Sequence, residues 1–204
     1  MNNAILIQQC YPGLGYEPML ELTMERNEIY CRKWQFDYQC IIDNVVTNWE
    51  PKQGGWAKIE LIRRALENGY EYVVWLDTDA LIKDTDVDLR EGCPKFGIGA
   101  CWMRIPQLHH WNVGVLYIRN SQEVRDFVIE WLSKFPGGRQ WMEQGVFNEM
   151  GMKGKIVNTI SDKWNATLNY SMVPDAVILA YHGNGDAKQR YELMKGTLER
   201  LEAK

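Results

Sequence analysis

Two carboxylates separated by one residue, Asp77-Thr78-Asp79, stand directly after the most apolar run of the chain, Tyr72-Val73-Val74-Trp75-Leu76. In an open α/β sheet ligands gather at the carboxyl ends of strands, so the position is itself informative. Two carboxylates placed where a strand turns can converge on one hard cation, which can bridge phosphate oxygens and offset charge as a diphosphate departs. A lysine cannot coordinate two phosphate oxygens at fixed angles. Ala80-Leu81-Ile82 then returns into the core, so the acids are pinned from both sides. The plainer alternative is that Asp77 caps a turn and Asp79 faces water.

The pattern recurs near the C-terminus, where Val177-Ile178-Leu179-Ala180-Tyr181 runs into His182-Gly183-Asn184-Gly185. Glycines there permit positive φ and close approach to an anion. With Asp77 and Asp79, the His182 imidazole would complete a mixed oxygen and nitrogen set that suits Mn²⁺ better than Mg²⁺. Otherwise His182 is a hydrogen-bonded histidine at a strand end. Lys188, near the start of the last helix, is placed to meet a β-phosphate or, alternatively, is a solvated lysine. His109 and His110 read as loop residues, and Trp131 as helical packing. Trp111 and Trp141 are open to stacking on a sugar, as are Trp49 and Trp56 beside a Pro/Gly loop.

The elements that must position these groups alternate between strand and helix. Ala4 to Ile7 reads as a buried first strand before a turn at Pro12, Gly13 and Gly15. Glu17 to Trp34 favours helix, with Leu22, Ile29 and Tyr30 available to face inward. A second strand is expected over Gln39 to Val46, then a loop through Asn48-Trp49-Glu50-Pro51 to Gly54-Gly55. Leu61, Ile62, Ala65 and Leu66 share one helix side that ends at Asn68-Gly69, ahead of the Tyr72 to Leu76 strand; this switch marks an α/β layer.

Phe96 to Cys101 and Val113 to Ile118 read as a hairpin with a long loop holding Pro106, His109 and His110. Ser121 can cap a helix carrying Val124, Phe127, Val128, Trp131, Leu132 and Phe135 at helical spacing. Shorter elements follow: a helix from Arg139 to Met150, then strands over Lys155 to Ile160 and Val177 to Tyr181. The last helix, Asp186 to Glu202, carries a stripe of Tyr191, Met194, Leu198 and Leu201.

The 204 residues suit one catalytic domain, and an uncapped charged last helix is open to continuation as the N-terminal part of a longer multidomain protein. With 23 basic against 27 acidic residues and a net charge of -4, no basic footprint for nucleic acid exists. No run nears the roughly 20 apolar residues that cross a bilayer, so membrane insertion is not expected. Five dispersed cysteines read as free thiols of a reducing, cytoplasmic setting.

With Asp77, Asp79, His182 and Lys188 in place, the chain resembles glycosyltransferases of the GT-A fold, a Rossmann-like mixed sheet flanked by helices. It is similar in particular to the retaining glycogenin-like and galactosyl/mannosyl/xylosyl-transferase groups, and to compact domains of large algal-virus glycan-synthesising enzymes. The stretch Trp56-Ala57-Lys58 through Gly69-Tyr70-Glu71-Tyr72 to Asp79-Ala80 resembles the helix and strand before their DxD motif. Asn112-Val113-Gly114-Val115 resembles their Asn-Ser-Gly segment, and Trp141-Met142-Glu143-Gln144 their Asp-Gln segment, with Glu143 one methylene longer. His182-Gly183-Asn184-Gly185 with Lys188 resembles their His-x-x-Gly and lysine.

The resemblance implies a metal-dependent transfer of a hexose from a nucleotide-diphosphate sugar, with UDP favoured by analogy, to a glycan or protein-linked acceptor. Gln8, Cys10 and Tyr11 would adjoin the donor base; Lys58, Asp77, Thr78, Asp79, Gly185 and Lys188 would surround the metal and diphosphate. Asn112 and Gln144 would hold sugar hydroxyls by directional hydrogen bonds. Retention of anomeric configuration is implied, by front-face attack assisted by the leaving phosphate oxygen or by a covalent route through Glu143. Two other classes remain open, a non-catalytic nucleotide-sugar or glycan-binding module and a nucleotidyltransferase of similar fold. Against the latter, Gln9 to Glu17 has glycines but no Lys or Arg. A phosphatase with Asp-x-Asp would want a different residue pattern after the acids than Ala80-Leu81.

Overall fold

A computed structural model describes residues 2–43, 54–105, 108–136, 142–168, 170–171 and 173–203. The expectations placed on Asn44 to Val46, the Asn48 to Pro51 loop with Trp49, Pro106, Arg139 and Trp141 fall outside these residues.

The chain opens β1 (Ala4–Cys10), α1 (Glu17–Trp34), β2 (Phe36–Ile42), α2 (Gly54–Glu67), β3 (Tyr72–Leu76). It continues β4 (Ala80–Ile82), β5 (Gly97–Ile105), β6 (Leu108–Arg119), α3 (Gln122–Ser133), α4 (Met142–Lys153) and β7 (Val157–Ile160), and ends β8 (Ala166–Thr167), β9 (Ile178–Ala180) and α5 (Ala187–Glu202). Six strands form the main sheet in the order β2-β1-β3-β6-β5-β7, and β4-β9-β8 form a small one. β1 pairs parallel with β2 and β3, whereas β6 runs antiparallel to both of its neighbours, β3 and β5. Because β1 and β3 are neighbours and parallel, their carboxyl ends emerge side by side, at Cys10 and Asp77.

Alternation along β1 sorts its side chains. Ile5 and Ile7 join the core under α2 and α3 with Trp75, Ile62, Val128 and Trp131, while Ala4 and Leu6 face Tyr30 of α1. A third cluster, Met19, Leu81, Leu179, Tyr181, Met194 and Leu198, fastens the small sheet to α1 and α5. Both faces of the sheet are thus covered, which is why β3 can be apolar without interruption.

Ser121 Oγ accepts from Val124 N as expected of a cap. Asp186 and Gln189 form a reciprocal capping box at the start of α5. Gly69, with φ of 87°, ends the turn after α2 in the left-handed region that glycine tolerates.

Three expectations are corrected. On α1 the expected Tyr30 is buried and Leu22 packs partly buried against the third cluster, but Ile29 is 53% exposed, and Met19, Leu20, Thr23, Asn27 and Cys31 complete the inward stripe that the contact with β1 and the small sheet selects. The β5-β6 hairpin has no long loop. His109 pairs with Arg104 and His110 with Met103, so both histidines are strand residues, and a register shift between Gly99 and Cys101 absorbs the mismatch between the two strands. Trp56 is buried in edge contact with Phe135, so it packs the core and does not stack on a donor.

Candidate functional site

At the carboxyl ends of β1 and β3 lies a cleft of about 200 Å³, lined by Gln9, Cys10, Tyr11, Lys58, Asp77 and Glu143 among others. A groove of about 870 Å³ between α3 and α4 is larger, but it shares no residue with this cleft and contains none of the predicted site residues.

The cleft floor is built on Lys58, which α2 presents and whose side chain is 5% exposed. Its ammonium donates to Asp77 Oδ1 at 3.1 Å and to Val113 O at 3.1 Å, and lies 3.5 Å from Glu143 Oε1. Burial alone would depress this lysine, but the two carboxylates raise its pKa. All three of its donors are directed at protein, so Lys58 serves as counter-ion to Asp77 and Glu143.

Asp77 Oδ1 also accepts from Trp75 Nε1 at 2.6 Å. Its Oδ2 points toward the bare Cα of Gly114, where an added Cβ would lie 3.2 Å from that oxygen and 2.9 Å from Asn112 Oδ1. Glycine at 114 therefore keeps the space between Asp77 and Asn112 open. Gly55 does the same beside Glu143, whose carboxylate a Cβ would overlap.

Asn112 is buried, accepts from Gly114 N, and turns its amide nitrogen to within 2.9 Å of His182 Nε2. One residue, Tyr181, separates His182 from the end of β9, and Tyr181 N donates to Asp79 O at 2.9 Å, so the small sheet brings the histidine loop against the acidic turn. Desolvation lowers the His182 pKa to about 4, leaving the ring neutral with a lone pair at Nε2. Asp79 is raised to about 6 by burial and by Asp77, although Arg190 donates to its Oδ2 at 2.9 Å.

This donor set fits a divalent cation in kind: two carboxylates, one of them with an oxygen facing open space, and an unprotonated imidazole. In position it is not converged, because among the described residues no three such groups gather closely enough to hold a metal. Asp79 is held by Arg190 and His182 by Asn112, so binding a cation requires exchange of these partners.

α4 supports the other wall. Gln144 Oε1 accepts from Val113 N at 3.1 Å, and Asn148 takes both sides of the Trp111 backbone, at 2.7 and 2.9 Å. The two α4 amides thus stand in for a neighbouring strand along this part of β6. Trp131 Nε1 donates to Glu143 O, which fixes the start of the helix. Trp111 is buried and donates to Thr159 Oγ1, so it is structural.

Several predicted residues therefore come together: Cys10, Tyr11, Lys58, Asp77, Thr78 and Glu143 line the cleft, with Asn112 and His182 adjoining. Cys10 is a buried neutral thiol, its pKa raised to about 11. Gln8 is not in the cleft. It is fully buried, accepting from Asn27 and Tyr38, and Gln9 lines the cleft instead, one side of the strand pleat away. Gly185 turns the chain at φ of 82° and accepts from Arg190 Nε. Lys188 is exposed on the first turn of α5 in a shallow depression with Gly183 and Glu192. Sequence reasoning missed Arg190 and Asn148. The only signal for Asn148 was its i+4 spacing from Gln144, and for Arg190 its place two residues after Lys188.

A galactosyl transferase GMA12/MNN10 family model matches residues 5–95. Galactomannan galactosyltransferase 1 of Cyamopsis tetragonoloba is 26% identical over 167 residues, 76% of this chain and 37% of that protein. Probable glycosyltransferase 7 of Oryza sativa subsp. indica is 29% identical over 118 residues, 53% of this chain and 26% of that protein. The chain thus spans well under half the length of the curated relatives it matches.

Among solved structures, a glycosyltransferase involved in the glycosylation of the major capsid of PBCV-1 superposes with a TM-score of 0.73 at 15% identity, covering 95% of this chain and 98% of that one. The glycosyltransferase GlyE of Streptococcus pneumoniae TIGR4 gives 0.57 at 14% identity, covering 90% and 56%. The architecture is the GT-A fold of glycosyltransferases. Among the described residues no helix is long and apolar enough to cross a membrane.

Proposed function

We propose that this chain transfers a hexose from a UDP-sugar to a glycan or protein-linked acceptor, with Mn²⁺ as cofactor and retention of anomeric configuration. The observation that carries the reading is the Tyr181 N to Asp79 O hydrogen bond beside the cleft, which makes the acidic turn after β3 and the histidine after β9 neighbours. Matching relatives named as galactosyl- and glycosyltransferases support the reaction class.

Asp77, Asp79 and His182 would hold the cation, whose charge would stabilise the departing diphosphate. Lys58 holds Asp77 and Glu143 in place from below, at 3.1 and 3.5 Å. Cys10 and Tyr11 offer an apolar wall and a ring where the base would lie. Asn112 and the amide nitrogen of Gln144 supply directional donors for sugar hydroxyls, and Gly114 leaves room between Asn112 and Asp77. The Glu143 carboxylate, fixed 3.5 Å from Lys58, would be placed to stabilise positive charge developing at the sugar during front-face attack.

The test is Asp79→Ala in an assay of UDP release from UDP-hexoses with Mn²⁺. Turnover should fall at least ~100-fold with loss of metal-dependent donor binding, the scale expected when transition-state charge stabilisation is removed. Near wild-type turnover in that variant would sink the metal assignment.

A further inference from the structure

Resting on the transferase reading, we propose that Arg190 is a resident counter-ion which Asp79 gives up when it takes a divalent cation, and that the released guanidinium then binds the donor diphosphate. Arg190 Nη1 lies 2.9 Å from Asp79 Oδ2 and its Nε donates to Gly185 O at 3.1 Å. The pair is largely dry, the two side chains being 20% and 10% exposed.

Both ends of the contact are anchored. Asp79 is tied through its carbonyl to Tyr181, and Arg190 N bonds to Asp186 O within the capped first turn of α5. Only the side chains are left to rearrange. A metal ligated by Asp79 and His182 would bring two further positive charges next to a guanidinium already on the same carboxylate, which disfavours both staying. A long guanidinium side chain can move while its backbone stays fixed, and its planar fork matches phosphate oxygens as it matches carboxylate.

The other cations are less suited. The Lys58 ammonium is directed at Asp77, Val113 O and Glu143, and Lys188 is exposed on the depression beside the loop. Arg190 already reaches into the acidic turn. The exchange makes metal and diphosphate binding mutually supportive, since the diphosphate gives the displaced guanidinium a partner and so each ligand raises the affinity for the other.

The test is calorimetry on the full chain with Mn²⁺ alone and then with UDP at saturating Mn²⁺, for wild type, Arg190→Ala and Arg190→Lys, with thermal melts in chelator to establish folding. Wild type should bind Mn²⁺ weakly and about 10-fold more tightly once UDP is present, within the usual range of coupling between sites. Arg190→Ala should bind Mn²⁺ alone about 10-fold more tightly and bind UDP about 10-fold more weakly, and its coupling should fall below that of wild type to what direct contact between cation and diphosphate supplies, the scale of one charge-assisted contact. Arg190→Lys, with charge but no fork, should lie between, and it carries the test if the alanine variant does not fold. Weaker or unchanged Mn²⁺ binding in the variants would overturn the displacement and make Arg190 a fixed orienting group, leaving the transferase reading intact. A wild-type chain that binds neither Mn²⁺ nor UDP would overturn both.

Discussion

Lys58 and Asp77, nineteen positions apart in the chain, meet at 3.1 Å in the cleft floor, with the lysine side chain 5% exposed and Glu143 at 3.5 Å on its other side. One buried cation thus balances two carboxylates from different elements, so the acid that ends β3 and the acid that begins α4 depend on the same ammonium. Removing one partner of such a pair leaves an uncompensated buried charge.

Because the Asp77 side chain is 35% exposed and both acids line the cleft, Lys58→Met should destabilise the fold by about 1–3 kcal/mol, less than for a fully buried pair. Urea denaturation measures it. Adding Glu143→Gln should recover part of the loss, since residues in one charge network are not additive. A double variant that simply sums the two single losses would show that Lys58 and Glu143 do not communicate.

Gly114→Ala would put a methyl group 2.9 Å from Asn112 Oδ1 and 3.2 Å from Asp77 Oδ2. We expect a melting temperature close to wild type and about a tenfold loss in kcat/KM, since misplacing site groups slightly costs at least that much. Steady-state kinetics with a UDP-hexose and a melt on the same sample decide it.

Asn148→Ala removes both bonds to the Trp111 backbone, leaving a partly buried N–H and C=O without their partner. The expected cost is about 2–4 kcal/mol, one unsatisfied group counted at each end. Hydrogen exchange should rise at Trp111 to Val113 before it rises in β1 or β3. Uniform protection loss across the sheet would contradict this local role.

Cys10 lines the cleft as a neutral thiol, its pKa pushed up to about 11 by burial and by Glu17. The thiolate is the reactive form, so alkylation by iodoacetamide at pH 8 should be slow in the folded protein and accelerate as pH climbs toward 11. Mass spectrometry of Cys10-containing peptides across that range gives the profile, and a rate already saturated at pH 8 would refute it.

How much the sequence decided can be seen element by element. The apolar run of β3 ending at Asp77, the helix of α1 from Glu17 to Trp34 and the stripe Met194 and Leu198 on α5 were legible, because periodicity and abrupt changes of polarity are local properties. Likewise the position of the two acids and of His182 just past strand ends was legible from where the apolar runs stop.

What lay beyond the sequence was which side chains cross from one element to another. Gln8 or Gln9 at the cleft turned on which side of β1 faces α1. The inward stripe of α1, with Ile29 outside it, turned on where β1 and the small sheet press against the helix. Arg190 rather than Lys188 reaching Asp79 was set by the turn of the chain through Gly185 and the capping of α5. Long charged side chains have no periodic signature of their destination; their partner is chosen by burial and by the nearest uncompensated opposite charge, and both exist only once the strands are assembled.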